Sequence, residues 1–199
     1  MPRIRAYEEH PLGLSWIADE AMTRTSHALV DDGRVWLVDP VDVDGAVDRA
    51  AALGEPAAVL QLLDRHERDC AAVARRLGVP HVALPHELPG APLEPVQVVR
   101  RRFWNEVALW WPARGALVVP EAVGTNRMFT AGATAVGVHV FLRPTPPRRL
   151  AAYAPEHLLV GHGAGVHGAA AAPALREALD RARRDLPLAL LKMPTALRG

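Results

Sequence analysis

The sequence predicts an α/β (α+β) domain in which two sheets pack together and helices cover their outer faces. Three observations predict it: short apolar runs of strand length, helical stretches between some of them, and turn residues at the joints. At 199 residues, 50% of them hydrophobic and 23% charged, the chain is long enough for one buried core and short for two domains. A single domain over residues 1–199 is expected.

Leu14–Ala18, Ala28–Val30 and Val35–Asp39 read as strands, the last two joined at Asp31-Asp32-Gly33. Residues 44–53 have helical composition and stop at Gly54. The uninterrupted run Ala57–Leu63 suits a strand buried on both faces. Cys70–Leu77 follows as a helix between Asp69 and Gly78, and Val82–Leu84 returns as a strand. After the proline-rich loop 85–95 come strands at Val96–Val99, Val107–Trp111 and Leu117–Val119, with turns expected at Asn105 and at Ala113-Arg114-Gly115. Residues 124–135 are weakly patterned. His157–Val160 is a short strand running into Gly161-His162-Gly163, and residues 169–186 form an amphipathic helix. The apolar tail 187–199 is expected to pack on the domain or on a partner, a homodimer being one form of this.

Several classes are disfavoured. A net charge of +1 gives no general pull toward nucleic acid or an anionic membrane. No window reaches the ~18 apolar residues of a membrane span. The start is charged (Arg3, Arg5, Glu8, Glu9) and shows no signal peptide, and Cys70 is the single cysteine, so a cytoplasmic location is expected. Arg100-Arg101-Arg102 beside Phe103 and Trp104 invites a nucleic-acid reading, but strand alternation divides the arginines between two faces. His81, His86, His139, His157 and His167 carry no recognised ligand spacing, and Trp16, Trp36, Trp110 and Trp111 read as core or interface.

Four segments in order resemble the metallo-β-lactamase superfamily, together spanning most of residues 28–186. Val35-Trp36-Leu37-Val38-Asp39-Pro40 resembles its early strand ending in aspartate. Leu62 to Cys70 stands where the family carries a His-x-His-x-Asp-His loop. Val107 to Pro112 with Ala116 to Glu121 resembles the hairpin ending in the metal-bridging aspartate, and Pro155 to Gly163 the segment with the last histidine ligand. The resemblance implies a four-layer αββα sandwich with its site at the sheets' shared edge.

The departures from the family pattern decide the functional expectations. One register puts Arg65 and Glu67 on the first two histidines, Asp69 on the aspartate and Cys70 on the third histidine. Arg102 then falls on the next histidine and Glu121 on the bridging aspartate, while His162 is kept. A one-residue shift would bring in His66 or remove Cys70. Two guanidiniums cannot ligate a cation, so the dinuclear site is expected to be lost.

Three readings follow. In the first there is no cofactor, and Arg65 or Arg102 fills the metal's space beside Asp69, Glu121 and His162, leaving a structural network or a pocket for a small anionic ligand. In the second, one zinc ion bound by Asp69, Cys70, Glu121 and His162 serves a hydrolase of ester, thioester or phosphodiester substrates. In the third, the chain is a partner-binding or homodimeric scaffold. Cleft residues are expected among Arg65, His66, Glu67, Arg102 and His162. Cys70 beside His66 would suit a nucleophile, though a cysteine opening an apolar helix is more often a small buried hydrophobe.

Overall fold

A computed structural model describes residues 3–196. Its first sheet has six strands in sequential order: β1 (Ile4–His10), β2 (Gly13–Ala18), β3 (Thr25–Asp31), β4 (Arg34–Val38), β5 (Glu55–Gln61) and β6 (His81–Ala83). The first four are antiparallel meanders. The last two join in parallel through α1 (Ala46–Ala51) and α2 (Cys70–Leu77). The second sheet has five strands. β7 (Glu94–Arg101), β8 (Trp104–Trp111) and β9 (Ala116–Val119) are its antiparallel part, and β12 (His157–Val160) lies parallel to β9 with β13 (Val166–His167) outside it. Between β9 and β12 run the two-residue strands β10 (Val123–Gly124) and β11 (Gly137–Val138) and the turn-length helix α3 (Arg127–Thr130). The chain closes with α4 (Ala171–Arg181) and α5 (Leu186–Ala196).

Strand alternation explains why several runs are apolar at every position. In β4, Val35 and Leu37 pack with α1 and α2, while Trp36 and Val38 face the second sheet. In β9 and β12, Leu117, Val119, Leu158 and Val160 pack toward α4, while Ala116, Val118 and Leu159 face the first sheet. Both faces of each central strand are therefore dry, as a layer sandwiched between helices and a second sheet requires. This is the αββα arrangement. None of its described helices is long and apolar enough to cross a membrane.

Three local expectations need correcting. The β7–β8 turn lies at Arg102-Phe103, not Asn105. Asn105 is held in the strand because its N–H donates to Asp64 Oδ2 and its Oδ1 accepts from Gln97. Residues 4–10 form a strand, which their charges conceal, as is usual at a sheet edge. The helix expected over 169–186 is divided, because Pro187 sits in the first turn of α5, where its ring and missing N–H are tolerated. The tail from 187 is thus helical as far as Ala196, with Ala189 buried against Ala131 and Val140; its end at 197–199 lies outside the described residues.

The ends of the strands bring the site together. β4 delivers Asp39, β9 leads to Glu121, β12 to His162, and the loop after β5 carries His66. Gly161 lets that last turn pass: a Cβ there would lie 2.1 Å from the Pro120 carbonyl oxygen.

Candidate metal centre

His66, Glu121 and His162 are buried together, and their donor atoms lie within 4.8 Å of one another. Glu121 Oε2 is 3.0 Å from His66 Nε2 and 2.8 Å from His162 Nε2. The opposite ring nitrogens are already committed. His66 Nδ1 is 2.9 Å from Asp39 Oδ2, and His162 Nδ1 is 2.9 Å from the Met22 carbonyl oxygen. Both partners are acceptors, so each Nδ1 must carry a proton and donate it. Each Nε2 then either bears a lone pair aimed at a carboxylate oxygen or carries a second proton. Two lone pairs facing an anion repel it, so the geometry demands positive charge between these three atoms.

The surroundings hold this arrangement rigidly. Asp39 Oδ1 also accepts the Leu62 N–H, so its carboxylate ties β4 to the loop that carries His66. His139 Nδ1 accepts the Phe141 N–H, and its Nε2 lies 3.4 Å from Glu121 Oε1, an electrostatic contact and not a hydrogen bond. His139 therefore stands beside the carboxylate, with Nδ1 already taken by the Phe141 N–H. Phe129 stacks on His162 at 5.5 Å between centroids, and Trp104 meets His139 edge-on at 4.8 Å. Beneath Glu121, Glu106 is fully buried and accepts the N–H groups of Glu121 and Ala122 and the Trp104 indole N–H.

The electrostatics follow from burial and partners. Burial alone would raise the Glu121 carboxyl, but the bonds from His162 and His66 outweigh it and hold it well below the usual carboxylate range. Burial and the Arg68 guanidinium oppose charge on His66; Asp39 and Glu121 overcome them and raise its pKa. Burial pushes Glu106 up to about 7 in spite of its three donors, and pushes His139 down to about 4.

Arg68 is the cation that enters the site. It donates to the carbonyl oxygens of Thr25 and Asp39 at 2.7 and 2.8 Å and to that of Gly161 at 3.2 Å, joining β3, β4 and the turn before His162. Arg68 and Asp39 both adopt left-handed backbone angles, φ 40° and 43°, an unusual conformation for side-chain-bearing residues that clusters at functional sites.

Of the residues singled out from the sequence, the structure brings together His66, Glu121 and His162. The other positions are corrected. Arg65 is exposed, with its guanidinium 4.2 Å over the Trp104 ring and donating to the Phe103 carbonyl. Arg102 is exposed over Phe103, and Glu67 is exposed. Asp69 turns away to accept the Asp42 N–H at 2.8 Å. Cys70 packs in the helix-facing core with Sγ 3.5 Å from the His66 carbonyl oxygen, and burial pushes its thiol up, away from a reactive thiolate. The physical reason is that α2 begins at Cys70, so its first residue points under the sheet and not toward Glu121. Arg68, His139 and Glu106 were not foreseen.

No protein-family model matches the sequence, and no curated protein does. Solved structures do match. TMB-1 aligns at a TM-score of 0.59 and 13% identity over 96% of this chain and 99% of its own. The DIM-1 metallo-β-lactamase aligns at 0.59 and 12%, over 96% and 98%. The chain has the metallo-β-lactamase fold. A metallo-β-lactamase from Erythrobacter litoralis gives the same result, at 0.58 and 12% over 96% of each chain. At such identities the likeness concerns the fold; the site must be argued from this chain's own residues.

Two predictions follow from this geometry. Arg68→Ala removes a buried guanidinium's hydrogen bonds to three backbone carbonyls and should cost roughly 2–5 kcal/mol in urea unfolding, whereas Arg65→Ala should cost about 1 kcal/mol or less. Equal losses would show that Arg68 does not hold the strand ends. The second concerns pH. Burial holds His27 at about 3 and His139 at about 4, below the unfolded value of roughly 6.5. The unfolded chain then binds more protons, so stability should fall steadily as pH drops below about 6.5. An unfolding midpoint unchanged from pH 7 to 5 would contradict this.

Proposed function

We propose that this chain is a single-metal hydrolase in which His66 Nε2, His162 Nε2 and Glu121 Oε2 hold one divalent ion of the zinc class. The observation that carries the reading is the commitment of both Nδ1–H groups to acceptors outside the cluster. Ligating histidines are oriented in this way, the far nitrogen donating to a carboxylate or backbone carbonyl. Two imidazoles and a carboxylate form a donor set typical of catalytic zinc, which leaves one position open. When bound, zinc would supply a water of pKa about 7 and polarise a carbonyl or phosphoryl oxygen.

The chain's own residues define the rest. Asp39 and the Met22 carbonyl fix the two rings, and Glu106 holds the Glu121 backbone N–H. The Arg68 guanidinium occupies the neighbouring position and opposes a second cation, so the centre is mononuclear. A cavity of about 630 Å³ adjoins the Thr23, Asn126 and Gly163 backbone beside His162. Arg5, Arg127 and Lys192 line it together with Ile17 and Met128. That lining supports a small anionic substrate of the ester, thioester or phosphodiester type.

A second reading is favoured by the same short distances: protons in place of the metal, with His66 as an imidazolium between Asp39 and Glu121 and the fold as a metal-free structural or anion-binding member. Elemental analysis separates the two. Protein purified without a nickel column and dialysed with zinc should lose one equivalent in His162→Ala and in Glu121→Gln. Hydrolysis of a carboxylate-bearing nitrophenyl ester should fall to background with it. Unchanged metal content in both variants would leave the proton-held core.

A further inference from the structure

The β7–β8 turn carries charge that the metal centre does not use. Arg100, Arg101, Arg102 and Phe103 are all exposed, Phe103 at 75%. Alternation along a strand would send these arginines to opposite faces, but the chain turns at Arg102-Phe103, where both faces of the ribbon meet solvent. Arg65, also exposed, joins them from the loop after β5. Its Nη1 donates to the Phe103 carbonyl oxygen at 3.0 Å, and its guanidinium lies over Trp104. Arg102 stands 5.1 Å from the Phe103 ring centroid. On the other flank Arg101 Nη2 donates to Thr145 Oγ1 at 2.6 Å.

Two observations set this tip apart from an ordinary solvated turn. The first is its charge. None of the guanidiniums of Arg65, Arg100, Arg101 and Arg102 forms an ion pair among the described residues, whereas exposed Arg49, Arg76 and Arg148 are each paired with a carboxylate. The nearby Asp64 carboxylate accepts the Asn105 N–H at 2.8 Å instead. A net charge of +1 therefore hides a local concentration of positive charge. The second is the turn itself. Two-residue hairpin turns favour Gly, Asn or Asp, and an exposed phenylalanine gains nothing in water. Neither Arg102 nor Phe103 is there for the turn's sake.

We propose that the β7–β8 tip docks on an anionic lipid surface. Phe103 would enter the boundary between headgroups and acyl chains, and the four guanidiniums would meet lipid phosphates and carboxylates. Clusters of about four to eight basic residues are the size such surfaces attract. The tip fits a lipid surface better than a nucleic-acid strand. A single strand needs successive aromatic platforms for its bases, and the tip offers one, since Trp104 is buried against His139. The same packing sets the tip beside the His66–Glu121–His162 centre, so docking would hold that centre at the membrane face. The inference does not depend on a metal there.

The test is co-sedimentation of the full-length protein with vesicles of phosphatidylcholine alone or with about one-third phosphatidylserine. Wild type should sediment with the second and not the first, and should be released as salt rises from about 0.1 to 0.5 M. Arg100→Ser with Arg102→Ser should weaken binding by about 25-fold, roughly fivefold for each charge lost. Phe103→Ser should weaken it by about tenfold or more at unchanged charge. These positions are exposed, so folding is not at risk. Arg75→Ser with Arg176→Ser removes the same charge from exposed positions on α2 and α4 and should bind as wild type does. Equal losses in the two double variants would overturn the proposal, as would full binding by Phe103→Ser. So would a wild type that ignores both kinds of vesicle, whether or not it takes up a single-stranded oligonucleotide.

Discussion

The site depends on two hydrogen bonds that point away from it: His66 Nδ1–H to Asp39 and His162 Nδ1–H to the Met22 carbonyl. Each fixes a ring and a tautomer, and together they turn two Nε2 atoms toward one oxygen of Glu121. Every other feature can be read as support for that convergence. Asp39 is fixed by the Leu62 N–H, the Glu121 backbone by Glu106, and the backbone around Asp39, Thr25 and Gly161 by Arg68. The αββα frame matters because it brings the ends of β4, β9 and β12 to one edge, where these groups can meet.

Charge sets what the edge can hold. Asp39 and Glu121 bring two negative charges into a buried region, and unpaired buried carboxylates are costly. Arg68 supplies one positive charge from a fixed position, and the space between the imidazoles calls for at least one more. Under the proposed reading, a single metal ion would meet that need with the two imidazoles and the carboxylate as its donors. A second ion beside Arg68 would place like charges together in a low-dielectric setting. On the proposed reading, the frame of the metallo-β-lactamase fold would then hold one ion.

Much of the frame was legible in the sequence because apolar strands buried on both faces leave uninterrupted runs such as Ala57–Leu63, and because Cys70–Leu77 is bracketed by its caps. β1 was not legible, since an edge strand with Arg5, Glu8 and Glu9 looks like a charged leader. Within the site, His162 and Glu121 could be placed because each ends an apolar strand, Val160 and Val119 fixing the register. The loop from Asp64 to Cys70 has no such periodicity, so its register stayed open, and that ambiguity placed Asp69 and Cys70 at the centre in place of His66. An arginine filling the metal's space was expected at Arg65 or Arg102, but both are exposed. The guanidinium held among the strand ends is that of Arg68, and it bonds backbone carbonyls and no carboxylate. His139 was passed over because nothing in its neighbourhood resembles ligand spacing; its role lies in a tautomer set by the Phe141 N–H, which no sequence pattern encodes.

The most direct test of the convergence is nitrogen NMR of the histidine side chains, in metal-free protein and after loading with cadmium-113 as a spectroscopic substitute for zinc. The account predicts that His66 and His162 keep their Nδ1 protons in both states. Their two Nε2 resonances should shift on loading and acquire scalar coupling to one cadmium nucleus. Nε2 resonances that stay protonated and unmoved with cadmium present would contradict it, and would leave the centre as a core held together by protons.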